Sequence, residues 1–457
     1  MISFEKIDKY SLRYALLYQY VKVVHHYIYH SDFDVLGTEN IPPKGTPTLV
    51  ISNHQNGLLD ALGIIYAFKD GRQPVFIARG DIFKNKTAAK LLRFLKIMPA
   101  FRTIDVARSE VNKSNVTFLR AARVLIDGGT VAIFPEAGHE ETHHLGSFKK
   151  GYPRIAFKAE EEADFKLNLQ ILPVANHYSN YLNFRQKKVI VIGKPFSFSE
   201  LFDIYKNKPN DAYLKLNEIS REKIEEMMLD IKDLSFYEEY RMLNEIIRKE
   251  YLTQIEKPLS YFPNHLIADK ETTSKLDLYR TENAEQFSLL MTQTRQYLNN
   301  LKTLNLRNWL IGKKVTFFNL LLTTFLFLLA LPFYLFSLIN NYLPFHSPNI
   351  FTRKIEDEML HSSFNIVVGS LFSFPLFYLL YFIIVWIVSG NILFGLIYVI
   401  LALLSLFLFY YYRVGVIKLF ASWRYYNFKR KSNQLLIKTI ELKNNIFGIL
   451  KKIIRNN

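Results

Sequence analysis

Hydrophobic and polar positions alternate in two different ways along this chain. Between residues 33 and 200, short apolar, β-branched runs take turns with stretches whose apolar residues recur every three or four positions. The pattern predicts strands over 48–52, 74–78, 130–134, 169–175 and 189–192. It predicts helices over 60–68, 88–95, 112–126 and 151–163. Repeated strand-then-helix order implies an α/β domain, a central sheet flanked by helices, over 33–200. Ahead of it, residues 1–32 are rich in Tyr, Leu and Val, with Lys22, His25 and His26 among them. They predict an amphipathic helix on a membrane interface or against the domain, its histidines polar groups rather than ligands. Residues 201–312 carry dense charge at helical apolar spacing, as from Ile219 to Met228, and predict a helical insert.

Beyond residue 313 the pattern loses its polar phase. No Asp, Glu, Lys or Arg stands between Ser362 and Tyr412, or between Val315 and Thr352. One bilayer crossing takes about 20 apolar residues. The membrane region, 313–412, therefore predicts spans over 364–388 and 391–412, hinged at Ser389-Gly390-Asn391. The stretch 315–345 either spans or forms a re-entrant hairpin broken near Pro332. Lys302, Arg307, Lys313 and Lys314 precede the region, and Arg413, Lys418, Arg424, Lys429, Arg430 and Lys431 follow it. Positive charge marks the cytoplasmic side. Both flanks then lie there, the number of crossings is even, and the hairpin is favoured. The tail, 413–457, predicts a basic amphipathic helix at the interface. An integral membrane protein with a cytoplasmic catalytic domain is expected.

Composition narrows the partners. Lys and Arg number 58 against 41 acids, a net charge of +17, which suits an anionic partner. The basic residues gather around the membrane segments and no nucleic-acid motif occurs, so lipid headgroups are expected rather than nucleic acid. Cysteine is absent, which excludes disulfides, a cysteine nucleophile and cysteine-ligated zinc. Met1-Ile2-Ser3-Phe4-Glu5-Lys6 has no basic start followed by an apolar run, and no signal peptide is expected.

The chemistry concentrates at strand ends. Asn53-His54-Gln55-Asn56-Gly57-Leu58-Leu59-Asp60 follows the first strand, and Asp60 is the only acid between Ile41 and Lys69. A neutral imidazole can take a proton from an alcohol, and a carboxylate on its other nitrogen fixes the tautomer. At about 100° per residue the pair cannot share a helical face, so the two must meet across the loop. Next comes Met98-Pro99-Ala100-Phe101-Arg102-Thr103-Ile104-Asp105, where an arginine can grip a phosphate. Then follow Phe134-Pro135-Glu136-Ala137-Gly138 and Gly146-Ser147-Phe148-Lys149-Lys150-Gly151. There Gly138 permits close backbone approach, and two lysines precede a helix start, an anion site. Ile171-Leu172-Pro173-Val174 is the last strand-end motif.

Taken in this order, the four motifs resemble the phospholipid/glycerol acyltransferase family. The resemblance covers about residues 35–200. Its finer pattern looks most like the fungal-type glycerol-3-phosphate/dihydroxyacetone-phosphate acyltransferases. The carrying details are the longer His54–Asp60 spacing, Pro99 before Arg102, Lys150-Gly151 before Arg154, and Asn176-His177-Tyr178 before Phe184-Arg185. The resemblance implies that His54 is the general base and Asp60 its partner. It implies that Arg102, Glu136, Gly138, Lys149, Lys150 and Arg154 bind the phosphorylated glycerol acceptor, and that Pro173 shapes the acyl-donor pocket. It implies an acyl thioester as donor, on coenzyme A or a carrier protein, with no metal, no cofactor and no acyl-enzyme. The acceptor expected is glycerol 3-phosphate or dihydroxyacetone phosphate; the alternative is 1-acylglycerol 3-phosphate. Two departures stand out: Leu59 takes the place of the usual acid, and Ala137 that of a glycine. A remote alternative is a zinc peptidase, because His139-Glu140-Glu141-Thr142-His143 fits H-E-x-x-H. That signature requires a helix, however, and this segment is expected to be a loop.

Overall fold

The computed structural model describes residues 6–83, 85–100, 108–136, 138 and 142–455. Two compact units emerge: residues up to Lys232 with Tyr261–Leu266, and Asp233–Ser260 with Ile267 onward.

The first unit is built on seven strands, β1 (Asp32–Leu36), β2 (Thr48–Ser52), β3 (Val75–Arg79), β4 (Ile97–Ala100), β5 (Thr130–Ile133), β6 (Gln170–Tyr178) and β7 (Lys187–Ile192). Their order across the sheet is β1-β7-β6-β2-β5-β3-β4. All neighbours run parallel except β6 and β7. The helices are α1 (Leu12–Val23), α2 (Gly57–Ala67), α3 (Lys86–Phe94), α4 (Arg108–Ile126), α5 (Gly151–Glu162), α6 (Phe202–Asn207) and α7 (Pro209–Glu225).

Strand alternation builds two cores. Leu49, Ile51, Val131 and Ile171 point to one face, where Ala121 and Leu125 of α4, Ile155 and Ala159 of α5, and Leu216 of α7 cover them. Val50, Ala132 and Leu172 point to the other, under Ile64 and Ala67 of α2. Both faces are buried, which is why the inner strands carry apolar runs on both faces. The predicted strands are the five inner ones. The two that went unrecognised, β1 and β4, are the sheet's edges. β1 is half-buried along its length and contains two aspartates, and β4 is four residues long with Pro99 inside; both weaken the apolar signal.

Residue 200 is not where this unit ends. Ala212, Leu216, Ile224 and Met228 lie in the same core as the sheet, so the charged helix α7 belongs to the α/β unit and the boundary moves to Lys232.

In the second unit are α8 (Tyr237–Gln254), α9 (Phe262–Glu282) from Ile267 on, α10 (Ala284–Leu304), α11 (Phe317–His346), α12 (Pro348–Thr352), α13 (Glu358–Val368), α14 (Phe374–Ser389), α15 (Ile392–Arg430) and α16 (Gln434–Arg455). Three helical stretches are long and apolar enough to cross a membrane: Phe317–Thr352, Leu360–Ser389 and Ile392–Arg430. The hairpin expected near Pro332 does not form. α11 runs unbroken through Pro332 and Pro344. Neighbouring hydroxyls cover carbonyls near the prolines, as apolar surroundings require. Tyr412 donates to the Phe327 carbonyl at 2.9 Å, and Ser373 to the Pro344 carbonyl, which faces the imide of Pro348, at 2.7 Å.

α11 and α15 lie antiparallel, with Phe317 against Trp423, Phe327 against Tyr412 and Ser337 bonded to Ser405. The apolar side of α16 is covered within the protein. Leu436, Ile446 and Leu450 are buried, its neighbours are α8 and α10, and Lys443 donates to the carbonyls of Asn308 and Ile311. A basic amphipathic face fits lipid or a helix partner equally in sequence; here helices cover it.

Candidate active site

Matched register sets up the site. Ile51 of β2 pairs with Ile133 of β5 on one side and with Pro173 of β6 on the other. Three residues past that level, His54 and Glu136 emerge at the carboxyl ends of adjacent parallel strands, the end where open α/β sheets bind ligands.

Asn53 anchors the loop. Its side chain accepts from the Asn176 N–H at 2.7 Å and donates to the Asn176 carbonyl at 3.0 Å. The chain then turns into α2 through Gly57, with φ +42°. Asp60, in the first turn, reaches back and accepts from the N–H groups of Gln55 and Asn56, both at 2.7 Å. The same oxygen lies 2.9 Å from His54 Nδ1. The longer spacing is thus absorbed in the turn. Tyr178 donates to the other Asp60 oxygen at 2.6 Å. Asp60 is fully buried. Burial pulls its carboxyl upward, but the His54 hydrogen bond and charge, the Lys188 charge and the Tyr178 hydroxyl outweigh that and hold it below the usual range. An ionised Asp60 places the imidazole proton on Nδ1, so Nε2 carries the lone pair. The ring stacks on Phe134, centroids 4.1 Å apart, and stays partly exposed.

Glu136 fixes the backbone at the same point. Oε1 accepts from the His54 N–H and Oε2 from the Gly146 N–H, both at 2.7 Å. Burial nevertheless pushes its carboxyl up to about 7, against those two bonds. The resemblance assigns Glu136 to the acceptor; in the structure both its oxygens face main-chain donors.

Residues the sequence did not single out hold the Gly146 loop. Arg221 of α7 donates to the carbonyls of Gly146 at 2.7 Å and Leu145 at 2.9 Å. Asp230 accepts from the Leu145 N–H and bonds His144 Nδ1, both at 3.0 Å. Nothing local in the sequence ties residues 221 and 230 to residue 145.

The remaining predicted residues stand as follows. The Lys149 N–H donates to the Pro135 carbonyl at 2.8 Å, and its ammonium to Ser147 at 3.0 Å. Lys150 precedes α5 and Arg154 is exposed in its first turn, so all three cations stand in sequence at one helix start. Gly138 is exposed, and among the described residues no atom lies within 4 Å of where a Cβ would stand. Pro173 is buried within β6; its carbonyl accepts from the Gly193 N–H, and its ring would touch a Cβ at Gly193. Arg102 lies outside the described residues, as do Ala137, His139, Glu140 and Glu141. Of the H-E-x-x-H segment only Thr142 and His143 are described, and neither they nor the residues that follow through 149 are helical. His143 Nδ1 bonds the Tyr181 hydroxyl at 2.8 Å, and its ring stacks on His177. Among the described residues, no cluster of three or more His, Cys, Asp or Glu is placed to hold a metal ion.

Known proteins match this region. A family model described as Acyltransferase matches residues 32–177. The chain is 30% identical over 125 residues to the chloroplastic 1-acyl-sn-glycerol-3-phosphate acyltransferase of Arabidopsis thaliana, covering 27% of this chain and 32% of that one. It is 26% identical over 198 residues to the 1-acyl-sn-glycerol-3-phosphate acyltransferase of Borreliella burgdorferi, covering 43% and 68%. The match thus spans about a third of the length of the chloroplast relative. Among solved structures, the 1-acyl-sn-glycerophosphate acyltransferase of Thermotoga maritima aligns at 22% identity and TM-score 0.34, over 50% of this chain and 83% of that one.

Proposed function

Residues 32–177 are an acyltransferase domain of the phospholipid/glycerol acyltransferase family, and from that premise we propose that the chain transfers a fatty acyl group from a thioester to a hydroxyl of a phosphorylated glycerol. The observation that carries this is the 2.9 Å bond from His54 Nδ1 to buried Asp60. His54 Nε2 takes the proton of the acceptor hydroxyl as its oxygen attacks the thioester carbonyl. A C–O bond forms and the C–S bond breaks; the imidazolium returns its proton to the departing thiolate. Asp60 keeps the proton on Nδ1 and steadies the imidazolium. Lys149, Lys150 and Arg154, at the start of α5, draw the acceptor's phosphate, with Arg102 as a further phosphate contact. The apolar helices hold the domain at a bilayer, its site on the cytoplasmic face.

For the acceptor, the relatives' names support 1-acylglycerol 3-phosphate over glycerol 3-phosphate. The fungal-type likeness expected from sequence has no support among those names.

The test is transfer of labelled acyl groups by membranes containing the protein. Acyl-CoA and acyl-carrier protein are each paired with 1-acylglycerol 3-phosphate, glycerol 3-phosphate and dihydroxyacetone phosphate. Product from the monoacyl acceptor, lost in His54→Ala and indifferent to a zinc chelator, is expected. Product from glycerol 3-phosphate alone would restore the first-step reading. No product with any pair would reject acyl transfer.

A further inference from the structure

Lys188, in strand β7, is fully buried. Strand alternation puts it there: Lys187 reaches Asp32 at 3.4 Å on a half-exposed edge, so its neighbour turns inward. The Lys188 ammonium donates to the Leu59 carbonyl at 2.6 Å, one residue before Asp60. It also lies 4.7 Å from the centre of the Tyr178 ring, and that tyrosine's hydroxyl donates to Asp60. Gly63, three residues after Asp60 in α2, leaves the space: a Cβ there would stand 2.3 Å from Nζ. A buried ammonium costs several kcal/mol unless it is paired. Helix α2, strand β6 and strand β7 all contribute to holding this one.

We infer that Lys188 is a positioning residue for the His54–Asp60 pair, its ammonium offsetting the Asp60 charge so that His54 stays neutral and able to take the acceptor's proton. The inference rests on the acyl-transfer reading and adds a residue to it.

The other groups around Lys188 do not do this work. From the segment after α1, His25, His26 and His30 face it, and burial first, with the Lys188 charge added, holds all three below the ordinary imidazole range. They are neutral at neutral pH. Tyr178, from β6, is pushed well up by burial and by Asp60, and keeps its proton. Asp60 is therefore the anion that Lys188 faces. Burial draws the ammonium down to about 7 while Asp60 works against that, so the cation is present below neutral pH.

The experiment is the pH profile of acyl transfer in membranes, from pH 5 to 9, for the wild type, Lys188→Met and Gly63→Ala. With the cation gone, uncompensated Asp60 holds a proton on His54 to higher pH. The acid limb of Lys188→Met should move up by about one pH unit, with roughly tenfold less turnover at pH 6 and a plateau within about threefold of wild type. A structural role alone would lower the plateau and leave the limb in place; an unmoved or downward limb overturns the inference. If Lys188→Met does not accumulate, Gly63→Ala carries the test, because its methyl displaces the ammonium, and the same criterion applies. Wild-type turnover that is lost in His54→Ala establishes the underlying reading separately; a wild type without turnover overturns both.

Discussion

The backbone N–H of His54 and Oε1 of Glu136 lie 2.7 Å apart, although 82 positions separate the residues in sequence. The contact follows from register, since each residue sits three positions past the Ile51–Ile133 pair. It makes Glu136 a clamp on the backbone that carries the imidazole.

Burial pushes the Glu136 carboxyl up from its ordinary 4.5 to about 7, because it disfavours the charge. A folded value above the unfolded one gives stability that is full below pH 4.5 and is lost as pH rises through 7. The ceiling on that loss is about 3 kcal/mol. Glu136→Gln removes the titration, so the melting-temperature gap between wild type and variant should narrow from pH 5 to pH 8. A gap that widens would show that the two N–H bonds favour the ionised form over the buried acid.

Asp60 accepts from His54, Gln55, Asn56 and Tyr178 at once. Asparagine offers one acceptor oxygen and turns a donor toward donors. Asp60→Asn should lower kcat by about 10²- to 10⁴-fold with little change in KM. Near-wild-type kcat would remove the carboxylate from the mechanism.

Arg221 should matter to stability and to acceptor binding alike. Arg221→Met loses two bonds to the Leu145 and Gly146 carbonyls and frees the loop that supplies the second donor to Glu136. Roughly 1–3 kcal/mol of stability should be lost. The acceptor KM should rise several-fold while the thioester KM holds. Equal changes in both would place the loop away from the acceptor.

The apolar region makes a topological prediction. Arg424 donates to the Asn305 carbonyl at 2.7 Å and the Tyr425 hydroxyl accepts from the Gly312 N–H. With α11 and α15 antiparallel, residues 305–314 and 424–431 are expected on one side of a bilayer that these two helices cross. The chain has no cysteine, so single substitutions report cleanly. Lys314→Cys and Lys431→Cys should label from one face, and Lys354→Cys and Asn391→Cys from the other. Lys354→Cys labelling with Lys314→Cys would return α11 to a re-entrant role.

Much of this could be read from local pattern. The inner strands carry continuous apolar runs because both their faces are covered, so β2, β5 and β6 were legible while the edges β1 and β4 were not. His54 and Asp60 could be paired because only six positions part them. Arg221, Asp230 and Lys188 could not be found this way. They meet the site through chain crossings, and a lysine in a strand looks the same whether it faces water or a buried carboxylate.

By itself, then, the sequence determined the inner strands, the helices that cover them and the long apolar segments, since those depend on the period of apolar residues over a few turns. It also placed the reactive side chains in loops at strand ends. Tertiary structure alone decided that β5 lies beside β2, which joins Glu136 to His54. It decided that α7 belongs to the sheet unit, that α16 packs on helices, and that α11 continues through Pro332. Each of these turns on which surfaces bury one another, and burial is a property of pairs of segments that neither segment's sequence contains.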